Sequence, residues 1–145
     1  MTKDELYREI QRVRTQISSQ QKQQDQLEEK WDVLLEFMAK ANKKAEEFLE
    51  SVQRRKNKLS GIDQLLGRMK AAAKYRERMN EMLYGRDYTD AKNSIDTLLD
   101  NLNRQKRQIR QQLEDVEQEL KRLKKRLNQL QYEYNNYPEE EENDG

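Results

Sequence analysis

A heptad repeat of apolar residues over residues 95–137 constrains this chain more than any other feature. Apolar residues recur there alternately four and three positions apart, and Lys106 alone breaks the pattern. The positions are Ile95, Leu99, Leu102, Lys106, Ile109, Leu113, Val116, Leu120, Leu123, Leu127, Leu130, Tyr134 and Tyr137. A spacing that averages about 3.5 residues keeps one narrow stripe facing a neighbouring helix. The segment is therefore predicted to be one helix of a coiled coil.

The composition agrees with a thin apolar stripe and disfavours a thick globular core. Of 145 residues, 39% are charged and 33% are apolar, which is too little apolar volume to fill a compact core. Only one proline and four glycines interrupt the chain, and its long unbranched side chains favour helix. The predicted fold class is all-α.

Two residue types that carry much of enzyme chemistry are absent. The chain has no cysteine and no histidine, which removes thiol nucleophiles, imidazole acid–base catalysis and the usual zinc ligands. We therefore predict no enzymatic activity, no cofactor and no metal site. No apolar run approaches the roughly 20 residues of a membrane span, and residues 1–5 lack the apolar core of a signal peptide. The expected location is the cytoplasm, with export by a non-Sec route as the alternative.

The charge pattern argues against a nucleic-acid partner. The net charge is +1, so no global field attracts a polyanion. Basic clusters occur at residues 54–56, 104–110 and 121–126, without a groove-reading element beside them. Acidic residues lie close to the last cluster, as on an ordinary solvated helix face. No nucleic-acid partner is predicted, and a nucleic-acid binder is the least favoured binding hypothesis.

A second heptad stripe begins near the first residue. Thr2 and Glu5 form a capping-box pattern, which predicts a helix start. The stripe runs from Leu6 to Ala73 and keeps its phase across Gly61. A chain reversal at Gly61 would usually reset that phase, so one helix over residues 3–83 is predicted. A helix break at Gly61 is the alternative.

Residues 84–89 carry the first strong turn signals. Gly85 can adopt the positive φ of a helix C-cap, and polar residues after it can cap a new helix. A short connection between long helices implies antiparallel neighbours. Residues 1–137 are therefore predicted to form a single long antiparallel coiled-coil helical hairpin with unequal arms, helices 3–83 and 90–137.

Unequal arms leave about the first 34 residues without an intramolecular partner, since residue 137 then falls opposite a position near 35. An isolated amphipathic helix is stabilised mainly by covering its apolar face. The partner-binding residues are therefore predicted to be Leu6, Ile10, Val13, Ile17, Leu27, Trp31 and Leu34. Trp31 is the expected anchor, because aromatic side chains bury large areas at interfaces, and the alternative is that it caps the hairpin's own core. The partner is another helical protein or a second copy, and a fold-back at Gly61 is a further alternative.

Residues near the stripe add two expectations. Val33 and Phe37 flank it and widen the apolar face, which could then hold more than one neighbour. Arg55 interrupts the stripe, and we expect it either to pair with Glu114 or Glu117 or to extend into solvent.

The end of the chain is predicted to be an acidic tail. Pro138 stops the second helix, and residues 139–144 carry five acidic side chains that repel one another. Residues 138–145 are therefore expected to be disordered.

With a hairpin, a turn and an acidic tail, the chain resembles the small helical proteins of Gram-positive type VII secretion. These include WXG-type hairpins and, closer in length, the helical companions of LXG toxins. The WXG group carries Trp-x-Gly at the turn, where this chain has Leu83-Tyr84-Gly85. The group's Tyr-x-x-x-Asp/Glu export signal is matched in spacing by Tyr137 and Glu141. The resemblance implies binding to the helical N-terminal region of a toxin.

The predicted function is a non-catalytic protein-binding coiled-coil adaptor, and the resemblance implies a targeting companion for a type VII secreted toxin. The alternatives are a self-assembling structural coiled coil and an export chaperone of the flagellar or type III kind.

Overall fold

A computed structural model describes residues 1–66 and 70–138, except for the side chains of residues 62, 63, 65, 66, 71 and 72. It contains three helices: α1 (Lys3–Leu66), α2 (Lys70–Tyr84) and α3 (Arg86–Asn135). The described residues include no β-strand. The prediction of an all-α helical hairpin is confirmed. The predicted tail from residue 139 onward lies outside the described residues.

Helix α1 begins at the predicted capping box. The Thr2 amide donates to the Glu5 carboxylate at 3.1 Å, and the Glu5 amide donates to the Thr2 hydroxyl at 3.2 Å. These bonds satisfy two amides that a helix start leaves without partners. The helix then passes through Gly61 without a break, so the alternative of a break there is wrong. It ends at Leu66, and the prediction of a helix over residues 3–83 is wrong.

Side-chain contacts between α1 and the two later helices locate the reversal of the chain. The Lys56 ammonium lies 4.1 Å from the centre of the Tyr84 ring, and the Phe48 ring stacks on Tyr88 with 6.2 Å between centroids. The partner's number rises as the α1 residue number falls, so the helices are antiparallel. The chain therefore reverses between α1 and α2, and residues 67–69 between them lie outside the described residues.

The predicted turn at residues 84–89 is wrong because helical hydrogen bonding runs across it. The Gly85 amide donates to the Glu81 carbonyl at 3.0 Å, and the Thr89 amide donates to the Gly85 carbonyl at 3.1 Å. Gly85 does not have a positive φ, so it is not a left-handed cap. A Cβ atom at this position would overlap the Glu81 carbonyl oxygen. Because it has no Cβ atom, Gly85 can lie close to the Glu81 carbonyl at the junction between α2 and α3.

The arms of the hairpin divide differently from the prediction. Helix α1 has 64 residues, and α2 and α3 have 15 and 50, whereas the sequence predicted arms of roughly 80 and 48 residues. Because α1 ends early, its first residues gain intramolecular partners on α3. The Tyr7 and Tyr134 rings pack together with 6.4 Å between their centroids. The predicted unpaired overhang of about 34 residues is therefore wrong.

The chain divides into two compact units. The first contains residues 1–32 together with the chain from Arg107 onward, and the second is Val33–Lys106. The first unit holds two apolar clusters between α1 and α3. The larger consists of Leu6, Ile10, Val13, Leu123 and Leu130, with Ile17, Leu127, Tyr134 and Tyr137 at its edge. The smaller consists of Leu27, Val116 and Leu120, with Ile17 and Leu113 beside it.

The second unit also buries stripe residues. Its buried apolar side chains within the described part are Leu34, Leu59, Leu83 and Leu102. They come from all three helices, so both arms of the hairpin contribute to the stripe.

Candidate functional site

The seven predicted partner-binding residues are occupied by contacts within the chain. Five of them are buried and two are half-buried: Leu6, Ile10, Val13, Leu27 and Leu34, then Ile17 and Trp31. Trp31 also takes part in an intramolecular interaction. The expectation that this stripe stays open for a partner is wrong, because the reversal before α2 brings α3 alongside the start of α1.

One of the two residues of the candidate export signal, Tyr137, packs against the larger apolar cluster. Tyr137 is half-buried and packs against the cluster, whereas Glu141 lies outside the described residues. Tyr134 beside it contacts Tyr7 and has the Lys3 ammonium 4.9 Å above its ring centre. Such cation–π contacts add stabilisation to a partly exposed cluster edge. Tyr137 therefore belongs to a packed region of the fold.

A polar groove of about 480 Å³ opens in the first unit beside the smaller cluster. Its lining residues are Ser19, Lys22, Gln23, Gln26, Leu27, Lys30 and Gln112. These side chains offer amide, hydroxyl and ammonium groups, which can form hydrogen bonds. They include neither a nucleophile paired with a base nor a pair of carboxylates. The groove can bind polar groups but carries no recognisable catalytic arrangement.

Large apolar side chains are exposed on α1 within the second unit. Val33 is 63% exposed and Phe37 is 51% exposed, and their spacing of four places them on one helix face. We call this pair the exposed apolar surface. The buried Leu34 lies between them in sequence, so α1 has a covered stripe and an uncovered apolar edge at the same level. The sequence identified this pair by its position next to the heptad stripe.

Two further exposed residues of α1, Leu35 and Leu49, escaped sequence reasoning. They stand fourteen positions apart and therefore share a helix face. Their signal in the sequence is weak, because a leucine beside a leucine-rich stripe is easily assigned to the stripe itself.

Lys56 lies over two tyrosine rings in the second unit. Its ammonium is 4.1 Å from the centre of the Tyr84 ring and 4.9 Å from that of Tyr88, and Phe48 stacks on Tyr88 at an interplanar angle of 11°. Its neighbour Arg55 is exposed. Of the two alternatives for Arg55, extension into solvent is confirmed. Pairing with Glu114 or Glu117 required the register of the predicted turn.

Two cations of the basic cluster at residues 121–126 pair with acidic residues of the same helix. The Lys121 ammonium lies 3.7 Å from the Glu117 carboxylate, and the Arg122 guanidinium donates to Glu119 at 3.0 Å. This hydrogen bond lowers the pKa of Glu119 and raises the pKa of Arg122. The prediction of intrahelical pairs beside this cluster is confirmed for Lys121 and Arg122.

Within the residues that can be described, no group of acidic side chains is placed to hold a metal ion. No described helix is long and apolar enough to cross a membrane. The fold and its surfaces define an all-helical hairpin that buries one apolar stripe and exposes further apolar side chains beside it. Comparison with known proteins finds no matching family model, no similar curated protein and no similar solved structure.

Proposed function

We propose that this chain is a non-catalytic adaptor that binds another helical protein through the exposed apolar surface of α1. The observation that carries the proposal is the exposure of Val33 and Phe37 beside the buried Leu34. Adjacent large apolar side chains in contact with water favour association, because covering them removes apolar area from solvent. A partner helix can bind such a face with its own apolar residues spaced three and four apart.

Phe37 is the expected anchor of this interface. An aromatic side chain buries roughly 150–250 Å² and loses few rotamers on binding, which makes it a frequent interface hot spot. Charged residues lie before and after it along α1, where Lys40 pairs with Glu36 at 3.3 Å and Lys44 pairs with Glu47 at 3.6 Å. Interfaces commonly have an apolar centre and a polar rim of this kind.

The more specific form of the proposal is a targeting companion for a type VII secreted toxin, whose helical N-terminal region would be the partner. Its support is the helical hairpin architecture and the spacing of Tyr137 and Glu141. The Leu83-Tyr84-Gly85 sequence does not support it, because these residues lie at the α2–α3 junction and not at the reversal of the chain. In this form of the proposal the chain acts in the cytoplasm or leaves by a non-Sec route with its partner.

The proposal is tested with the double variant Val33→Asp/Phe37→Asp. The partner is purified from the native host with the wild-type chain, and its binding to each variant is then measured by calorimetry. We expect the double variant to lose binding while its helical circular dichroism stays unchanged. The control is Tyr132→Asp, since Tyr132 is 71% exposed on α3 outside this surface, and it should bind as the wild type does.

Two results would overturn the adaptor proposal. One is unchanged partner binding by the double variant. The other is loss of helicity in that variant, which would mean that Val33 and Phe37 support the hairpin itself. A dimeric wild type that becomes monomeric in the double variant would make a second copy the occupant of this surface, as in the structural coiled-coil alternative.

A further inference from the structure

A strongly basic segment occupies residues 54–78. It contains nine lysines and arginines and two acidic residues. Six of these cations are exposed, and the described structure gives them no ion pair: Arg54, Arg55, Lys58, Lys70, Lys74 and Arg78. On α3, Lys121 and Arg122 pair with Glu117 and Glu119, whereas Lys124 and Lys125 are exposed without a described ion pair. An overall charge near zero therefore conceals an uncompensated positive region in the second unit.

Three of the exposed cations form a single stripe along α2. Lys70, Lys74 and Arg78 stand four positions apart, so each lies above the last on one helix face. With a rise of 1.5 Å per residue, the stripe is about 12 Å long. Like charges at this spacing repel each other. An anion bound along the stripe would relieve that repulsion.

We propose that the acidic segment 139–144 of a second copy of the chain binds along this stripe. The segment carries Glu139, Glu140, Glu141, Glu142 and Asp144, and no basic residue follows Arg126 in the sequence. Six residues in extended form span up to about 20 Å, which is enough to follow a stripe of about 12 Å. Charge complementarity of this kind selects the partner and fixes its register. This inference is independent of the proposed adaptor function.

A short acidic peptide fits the stripe better than a nucleic acid does. Beyond Arg78 the same arm presents Glu81 and Asp87, which would repel the continuing phosphates of a duplex. The Tyr84 ring has Lys56 on one face, which leaves that face unavailable for stacking on a base. The stripe therefore matches an anion of limited length.

Such contacts are of the head-to-tail kind, because each copy offers both a basic stripe and an acidic segment. Association of this kind continues into longer assemblies unless the geometry closes a ring. It also weakens with salt, since exposed charges are screened over about 10 Å at 0.1 M. Association through the exposed apolar surface would not weaken in this way.

The test uses sedimentation of the full chain at about 0.05 M and about 0.5 M NaCl. We expect the wild type to self-associate at the lower salt concentration. Substituting the stripe (K70Q/K74Q/R78Q) or the acidic segment (E139Q/E140Q/E141Q/E142Q) should weaken association about ten-fold, equivalent to about 1.4 kcal/mol. The matched control K121Q/K124Q/K125Q removes as many cations from α3 and should associate as the wild type does.

Mixing the two variants provides the sharper measurement. The stripe variant keeps its acidic segment, and the segment variant keeps its stripe, so together they should form a one-to-one complex that cannot extend. Absence of self-association at low salt, equal weakening by the control, or absence of the mixed complex would each overturn the proposal. So would wild-type binding of a short DNA duplex that is lost in the stripe variant and unchanged in the segment variant, because nucleic acid would then be the occupant.

Discussion

Replacing Leu6 by alanine tests whether α3 covers the start of α1. Leu6 is 2% exposed and shares a cluster with Leu130, which is fully buried. Full burial of a leucine side chain is worth roughly 1.5–3 kcal/mol, and Leu→Ala in a core typically costs about 2–5 kcal/mol. The cluster lies between only two helices, so neighbouring side chains and water can partly fill the space. We therefore expect a loss of about 2–3 kcal/mol.

The assay is amide hydrogen exchange, supported by urea unfolding. Exchange resolves local opening, and helix ends open more readily than helix centres. In Leu6→Ala, amides near Leu6 on α1 and near Leu130 on α3 should lose protection together, because each side of the cluster covers the other. Tyr132→Ala is the control, since Tyr132 is largely exposed and should change stability by about 0.5 kcal/mol or less.

Two outcomes would refute the reasoning. A change in stability of less than about 0.5 kcal/mol would mean that Leu6 is not covered in solution. Loss of protection on α1 alone would mean that its partner is not α3. Either result would restore the hypothesis that the stripe beginning at Leu6 is a binding surface for another protein.

Three further predictions concern single side chains. Gly85→Ala should destabilise the chain by about 1 kcal/mol or more in urea, because its methyl group overlaps a backbone carbonyl; a gain in stability, as in an ordinary helix, would contradict this. Lys56→Gln should cost about 0.5–1 kcal/mol by removing contacts with two tyrosine rings, whereas Arg55→Gln should be neutral. Arg122→Gln should return the pKa of Glu119 to its ordinary range in a carbon-13 NMR titration. Because folding lowers that pKa, the bond contributes stability above the unfolded pKa and loses it as pH falls through the folded value.

Local features of the fold could be predicted from the sequence. The hydroxyl of Thr2 and the carboxylate of Glu5 act on adjacent amides, so the cap depends on residues three apart. The heptad stripe likewise predicted that α1 continues through Gly61, and nothing lies within 4 Å of a Cβ placed there. These features are set by neighbours along the helix, which a sequence displays directly.

The register between the arms could not be predicted in the same way. A two-helix stripe repeats every seven residues, so several registers bring apolar residues opposite apolar residues. Only the position of the reversal selects among them. Gly85 carried the strongest turn signal, yet a glycine can equally serve a close backbone approach inside a helical stretch. The packing of Tyr7 against Tyr134 depends on this long-range choice.

The phase of the stripe was misleading for a physical reason. Each arm places its apolar residues toward the other arm, so the spacing within each arm is fixed by that contact. The heptad phase of one arm relative to the other is then set by the number of residues that connect them. It therefore does not indicate whether the helix continues through the connection. The stripe keeps its phase from Leu6 to Ala73, past the end of α1. It changes instead at Gly85, where the buried Leu83 and the half-buried Tyr88 stand five positions apart.

This result changes which residues can recognise a partner. A residue in the stripe is covered by the other arm, so its apolar character serves the hairpin and is not available outside it. Apolar side chains beside the stripe are less covered by that contact, and Val33 and Phe37 remain 63% and 51% exposed. The same reasoning applies to charge, since Lys121 is compensated along its helix and Lys70 is not. Binding of the kind proposed above is therefore expected at positions that the heptad pattern leaves unexplained.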